Sequence, residues 1–270
     1  MLGYALQRGL VPLRRESIEQ AIRLNKVAVE RNLAAFGWGR RLAAEPGAAA
    51  QLGIGEAGAA TLEDFIARRV ADLTDYQDAA YASRYRRLVE RVREAEALTV
   101  PGQSVLTRAV AEQAYRLMAY KDEYEIARLY ADPAFTAQLA GSFEGDYRLR
   151  LNLAPPLLAR RDPHTGLPRK REYGPWLLPV LRGLARLRRL RGTPFDPFGY
   201  TAERRMERGL VTEYFALVDE LLASLSTSRH APAVELAEWP RTVRGFGHVK
   251  ERSLAVSRTR RDALLAQWRA

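Results

Sequence analysis

The sequence predicts a mainly α-helical protein, with long helices packed antiparallel and one small antiparallel β-hairpin or sheet element. Three observations carry that expectation. Apolar residues recur at helical spacing over most of the chain. Short breaks such as Pro101-Gly102 join long periodic segments, which favours antiparallel neighbours. The period switches once to strict alternation, near residue 146.

In chain order, Ser17 followed by Gln20 reads as a capping box. The stripe Ile18, Ile22, Asn25, Val29, Asn32, Phe36 then carries one helix to about Phe36. Its two asparagines read as ligand contacts, as a register lock, or more plainly as boundary amides with ordinary partners. Residues 43–60 are Ala or Gly at 12 of 18 positions and read as a linker. The GxGxxG at Gly53, Gly55 and Gly58 lacks the hydrophobic strand that a dinucleotide fingerprint requires.

Thr61 with Asp64 begins a helical pattern reaching about Ala97, and a second runs from about Ser104 to Ala131. Asp132-Pro133 breaks it before a short helix near residues 135–139. Eight of the twelve tyrosines lie between Tyr76 and Tyr147 and read as helix-packing residues with hydroxyls at the boundary, in preference to an aromatic pocket. Asp72, Asp75 and Asp78 read as a solvated helix face, with Mg²⁺ ligation as the alternative.

Residues 146–153 (DYRLRLNL) set Tyr147, Leu149, Leu151 and Leu153 against Arg148, Arg150 and Asn152, a half-buried strand. Asp162-Pro-His-Thr-Gly166 is a turn between two basic arms, so a hairpin with exposed arginines is expected near 146–174. Pro175 opens a helix with Leu177, Leu181, Leu184 and Leu187 on one side and Arg182, Arg186 and Arg189 on the other. GTPFDPFG (192–199) reads as an ordered loop, and Thr201 caps a helix to about Leu225. A short helix at 233–238 precedes Trp239-Pro240, and an Arg-rich helix closes the pattern at Trp268.

The chemistry open to such a chain is narrow. Without cysteine there is no thiolate nucleophile, cysteine-held zinc or iron–sulfur cluster in the chain. His164, His230 and His248 are dispersed, and no GxSxG, Walker or kinase pattern occurs. No apolar run approaches the ~18 residues of a membrane span and no leader pattern is present, so a cytoplasmic location is expected.

The net charge is +11, and 39 of the 43 cations are arginines. Residues 160–191 hold ten basic residues against Asp162 and Glu172, a surplus of +8. Arg169, Lys170 and Arg171 are therefore candidate contacts for an anionic cofactor or metabolite. The segment 245–250, with His248 and Lys250, is another, since a glycine-rich turn entering a helix exposes backbone N–H groups. The same surplus suits an acidic protein partner, nucleic acid, or a solvated surface paired internally; no helix-turn-helix, zinc finger or RNP pattern supports nucleic acid. His248 is the histidine to test for acid–base work, with a structural role as the plainer reading.

Long stretches also resemble a known family. GYALQRGLVPL and IEQAIRLNKVAVERNLAAFGWGRR resemble the end of the γ module of fused indolepyruvate ferredoxin oxidoreductases. LMAYKDEYEIARLY, FEGDYRLRLNLAPPLLARRDP, PRKREYGPW, RLRGTPFDPFGYTAERRMER and RGFGHVKER are similar to their C-terminal region. The resemblance implies a γ-type tail at 1–42, a linker at 43–60 and a mainly helical C-terminal domain at 61–270. It also implies oxidative decarboxylation of aryl 2-oxo acids by a larger enzyme that uses thiamine diphosphate, iron–sulfur clusters, coenzyme A and ferredoxin. With no cysteine and no thiamine-binding signature, this chain holds neither group itself, and no family catalytic residue maps onto it. The resemblance makes it a structural, partner-contacting module, inactive alone, facing the remaining domains or subunits and ferredoxin. The alternative is a basic binding module for nucleic acid or an anionic ligand.

Overall fold

The structure is a computed structural model and describes residues 1–45, 47–48, 61–142, 148–153, 169, 171–245 and 248–269. They form two compact units, Met1–Thr61 and Leu62–Ala270. Among the described residues there are twelve α-helices and one two-stranded antiparallel sheet, the mainly α architecture expected from the periodicity.

The first unit contains α1 (Leu2–Gln7), α2 (Arg15–Asn25) and α3 (Val29–Ala44). α1 crosses α3 so closely that a Cβ on Gly3 would meet the Phe36 carbonyl oxygen at 2.0 Å. The single helix expected through Phe36 is in fact two. Lys26 and Ala28 adopt left-handed backbone (φ 55° and 43°), and the Asn32 side chain donates to the Val27 carbonyl across the break. Asn32 therefore staples a turn instead of lining a continuous stripe. Ser17 caps nothing, because α2 already begins at Arg15. α3 reaches Ala44 and takes the first two residues of the expected linker; the GxGxxG lies outside the described residues.

The second unit begins with α4 (Leu62–Tyr76), α5 (Ala79–Thr99) and α6 (Val105–Met118). α7 (Glu123–Ala131), α8 (Pro133–Ser142), β1 (Leu151–Leu153) and β2 (Arg171–Tyr173) follow. α9 (Leu177–Arg186) tightens into a 3-10 turn at Leu187–Leu190. α10 (Ala202–Ala223), α11 (His230–Ala237), a 3-10 turn (Trp239–Thr242) and α12 (His248–Arg269) complete it. α6 is the central helix: Val110, Ala111, Ala114 and Met118 are fully buried among side chains of α4, α5, α10 and α11. A smaller core joins α7, the sheet and α9 through Ala127, Leu151, Leu177 and Leu181.

Each of the two long helices expected after Thr61 is also divided. Asp78 accepts from the Tyr81 N–H and Asp122 from the Glu125 N–H, both at 2.8 Å. An aspartate that satisfies the first free N–H groups of a new helix ends the old one at that point. Asp78 is thus a cap, not part of a solvated acidic face. The tyrosines go inside: the hydroxyls of Tyr76, Tyr85 and Tyr214 donate to the carbonyls of Tyr120, Ala111 and Ala237. A phenol can be buried because one hydrogen bond satisfies its hydroxyl.

The cap of α6 comes from another helix. Ser104 makes no capping bond; the buried Glu96 of α5 accepts instead from the backbone N–H groups of Leu106 and Thr107, each at 2.8 Å. The Thr107 hydroxyl donates to the same carboxylate at 2.6 Å, and His230 Nε2 lies 2.7 Å from it. Burial alone would raise the Glu96 carboxyl. The bonds from Thr107, His230 and Leu106 outweigh it and hold the group below the usual carboxylate range.

β1 pairs antiparallel with β2, Leu151 opposite Tyr173, inside the expected hairpin region. The proposed turn at 162–166 lies outside the described residues, as do Asp146 and Tyr147. Pro175 precedes α9 in a turn and does not occupy its first position. Leu187, expected on the apolar side, is 50% exposed because the helix narrows to 3-10 geometry there.

Glu96→Ala leaves two N–H groups of α6 and the Thr107 hydroxyl without their acceptor, and a loss of about 2–4 kcal/mol in urea unfolding is expected. Because the folded carboxyl is depressed, its contribution is complete above the ordinary carboxylate range and fades as pH falls through the folded value. The deficit of Glu96→Ala therefore shrinks in acid. A deficit independent of pH contradicts the capping role.

Candidate functional site

Three segments converge on one buried guanidinium. Arg191 follows the 3-10 turn after α9, and its side chain is 2% exposed. Its Nε and Nη2 donate to the two oxygens of Asp122 at 2.5 and 2.8 Å, and Nη1 donates to the Tyr76 carbonyl at the end of α4. The Tyr76 ring lies beneath it at 3.6 Å, with Tyr124 at 5.5 Å. Such a pair persists in a dry setting only when its nitrogens find acceptors, and here each of the three donates.

Neighbouring ties extend this junction. Arg204 at the start of α10 donates to Glu123 at 3.1 and 3.2 Å. Asp196 in the 192–199 loop accepts from the Tyr124 hydroxyl and from the backbone N–H groups of Gly192 and Phe198. Gly199 must be glycine for this turn, since a Cβ there would stand 2.6 Å from Asp196 Oδ2. The sequence signature GTPFDPFG is an ordered loop, as its composition suggested.

Beside the junction opens a cleft of about 370 Å³. Arg84, Arg191 and Arg208 line it together with Gln77, Tyr81 and Tyr120, and no carboxylate lines it. Arg191 is neutralised by Asp122; the other two guanidiniums have no carboxylate partner among the described residues. Arg84 lies over the rings of Tyr81 and Phe215, 5.7 Å from each. Arg208 donates through Nη2 to the Gly199 carbonyl at 2.6 Å, while its Nη1 is buried without a hydrogen-bond partner. Burial, with Asp122 nearby, pushes the Tyr120 phenol up to about 12 against the pull of Arg191 and Arg208. It keeps its proton at neutral pH and remains a donor.

Of the residues singled out from sequence, Arg169, Arg171 and Lys250 do not line this cleft. Arg169 is exposed, Arg171 is exposed on β2, and Lys170 lies outside the described residues. His248 is the first residue of α12. Lys250 is committed internally, its Nζ 2.7 and 2.6 Å from the two oxygens of Glu207. Arg191, counted within the basic 160–191 region, is no part of a solvated basic surface. Arg182 and Arg186 are exposed on α9 as expected, and Arg189 is exposed on the 3-10 turn that follows. Sequence reading missed Arg84 and Arg208, which come from distant helices; the one usable signal was Arg191 standing directly before an ordered loop. Among the described residues, no group of three or more His, Asp or Glu is arranged to hold a metal ion, and no helix is long and apolar enough to cross a membrane.

Arg191→Met strands the Asp122 carboxylate and should lower stability by about 3–5 kcal/mol in urea unfolding. Arg182→Met, at an exposed position of α9, should stay within about 0.5 kcal/mol of the parent. Equal effects at the two positions contradict the junction.

No curated protein and no solved structure matches the chain. One family matches, over residues 62–263, which span most of the second unit and include the junction and the cleft. The chain belongs to DUF6537, a family of unknown function.

Proposed function

We propose that this chain is the C-terminal structural and partner-contacting module of a thiamine-diphosphate-dependent 2-oxo-acid:ferredoxin oxidoreductase of the indolepyruvate type. The enzyme class rests on the resemblance of its long motifs. Its partners are the remaining domains or subunits of that enzyme, with ferredoxin as a further one, in the cytoplasm. The chain is not catalytic alone. Thiamine diphosphate, iron–sulfur clusters and coenzyme A belong to the other domains; a chain without cysteine offers no thiolate for a cluster, and no step of the decarboxylation is assigned to its residues.

The observation that carries the contact role is the outer face of α9. Arg182 and Arg186 are exposed there, and Arg189 on the 3-10 turn that follows, with no carboxylate partner among the described residues. Trp176, Val180 and Leu187 stand beside them, 63%, 55% and 50% exposed. Elsewhere in the second unit several exposed arginines of the long helices are taken up by acidic neighbours, as in Arg91–Asp219, Arg260–Glu235 and Arg269–Glu220, while Arg87, Arg205 and Arg252 are not among the described residues' ion pairs. Arginine and aromatic side chains with small apolar ones between them are what protein interfaces enrich, and a row of free guanidiniums steers an acidic surface toward them. The stretches behind the resemblance also include Asp122, Tyr124, Arg191 and Asp196 of the buried junction.

The double reversal Arg182→Glu/Arg186→Glu leaves both cores untouched and should weaken association with the rest of the oxidoreductase by about tenfold or more, mainly through the on-rate at low salt. Association is read by surface plasmon resonance against the remaining domains. Unchanged association, or a native protein that runs in cells at its own 30.4 kDa with no oxidoreductase partner, contradicts the reading.

A further inference from the structure

We propose that the cleft between α5, α10, the turns after α4 and α6 and the start of the 192–199 loop is a binding site for the phosphoryl group of a small organic phosphate. The proposal is independent of the enzyme class above, because it rests on the charge and geometry of the cleft alone.

Two guanidiniums face this space uncompensated. In water an arginine surface costs little, but Arg208 is only half solvated. One of its terminal nitrogens is fixed on the Gly199 carbonyl and the other is buried with no acceptor. A buried donor left unmatched is unfavourable, and in a protein it marks either strain or an acceptor that arrives with a ligand. Arg84 reaches the same cleft from α5, held over Tyr81 and Phe215 instead of over a carboxylate. Its fork of N–H groups is free to donate.

The count of charge selects the ligand. Arg191 is cancelled by Asp122, so the walls carry a surplus of two positive charges from Arg84 and Arg208. A phosphate monoester carries about −1.5 to −2 at neutral pH and presents three acceptor oxygens, which suits two forked donors. Tyr120 retains its hydroxyl proton, and Gln77 adds an amide at the rim. A monocarboxylate would neutralise half of this surplus. The volume of about 370 Å³ falls in the range of small-molecule sites, about 300–1,000 Å³, so a phosphoryl group leaves room for an organic part against the Tyr81 and Tyr120 rings.

The test uses the whole chain at low ionic strength with three probes: inorganic phosphate, phenyl phosphate and benzoate. Binding is followed by calorimetry and by thermal shift, since a ligand that binds only the folded state raises Tm. Phenyl phosphate should bind, inorganic phosphate more weakly, and benzoate weaker still. Arg84 is exposed and in no core, so Arg84→Met should keep the ligand-free Tm while weakening phenyl phosphate by about tenfold or more, the worth of a charged hydrogen bond. Arg182→Met serves as the control for general charge. Absence of phosphate binding overturns the proposal. Equal affinity for benzoate overturns the phosphoryl assignment, and equal losses in Arg84→Met and Arg182→Met overturn the site.

Discussion

A guanidinium removed from water has to find a counter-charge and acceptors for its nitrogens, and in this protein meeting that demand draws three chain segments to one point. Arg191 takes both oxygens of Asp122, the Tyr76 carbonyl and the Tyr76 ring. Asp122 is at the same time the cap of α7, and Tyr76 is the last residue of α4. One ion pair therefore fixes where two helices end or begin, and sets the smaller core of α7, α9 and the sheet against the larger one. The 192–199 loop leaves directly from Arg191 and is fastened by Asp196, which puts the Gly199 carbonyl where Arg208 donates to it. The floor of the cleft follows from that placement.

The surplus charge reads differently once side chains are placed. Much of the basic content is paired between helices, with Arg204 on Glu123, Arg261 on Glu213 and Lys250 on Glu207. Two of the places where arginine meets no acid among the described residues are the outer face of α9 and the walls of the cleft. The first is a surface with apolar neighbours and suits a protein partner; the second is a concavity of small-molecule size. Their chemistry differs, so one basic composition serves two kinds of recognition.

Helical periodicity made the fold class legible, and alternation at 146–153 located the sheet. What stayed hidden were the interruptions. Asp78 and Asp122 sit in runs whose apolar spacing continues across them, so period alone joins helices that the aspartates divide. The cap of α6 is not local: Glu96 reaches it from the helix before, and His230 joins the same carboxylate from over a hundred residues away. The candidate contacts at Arg169, Lys170 and Arg171 came from local charge density, and those at His248 and Lys250 from a glycine-rich turn entering a helix. The cleft instead assembles residues 84, 120, 191 and 208, none of which stands in a dense cluster with the others, and only tertiary packing brings them together. Lys250 shows the converse: a cation beside two glycines in sequence is consumed by Glu207 in space.

The central claim is that Arg191 holds the loop and the helix ends around it, and amide hydrogen exchange on Arg191→Met tests it most directly. Protection should fall at 192–200, at the start of α7 and at the end of α4, while the amides of α6 and the middle of α10 keep theirs relative to global unfolding. Unchanged protection at 192–200, or a uniform loss across the second unit with no local excess there, would contradict the account.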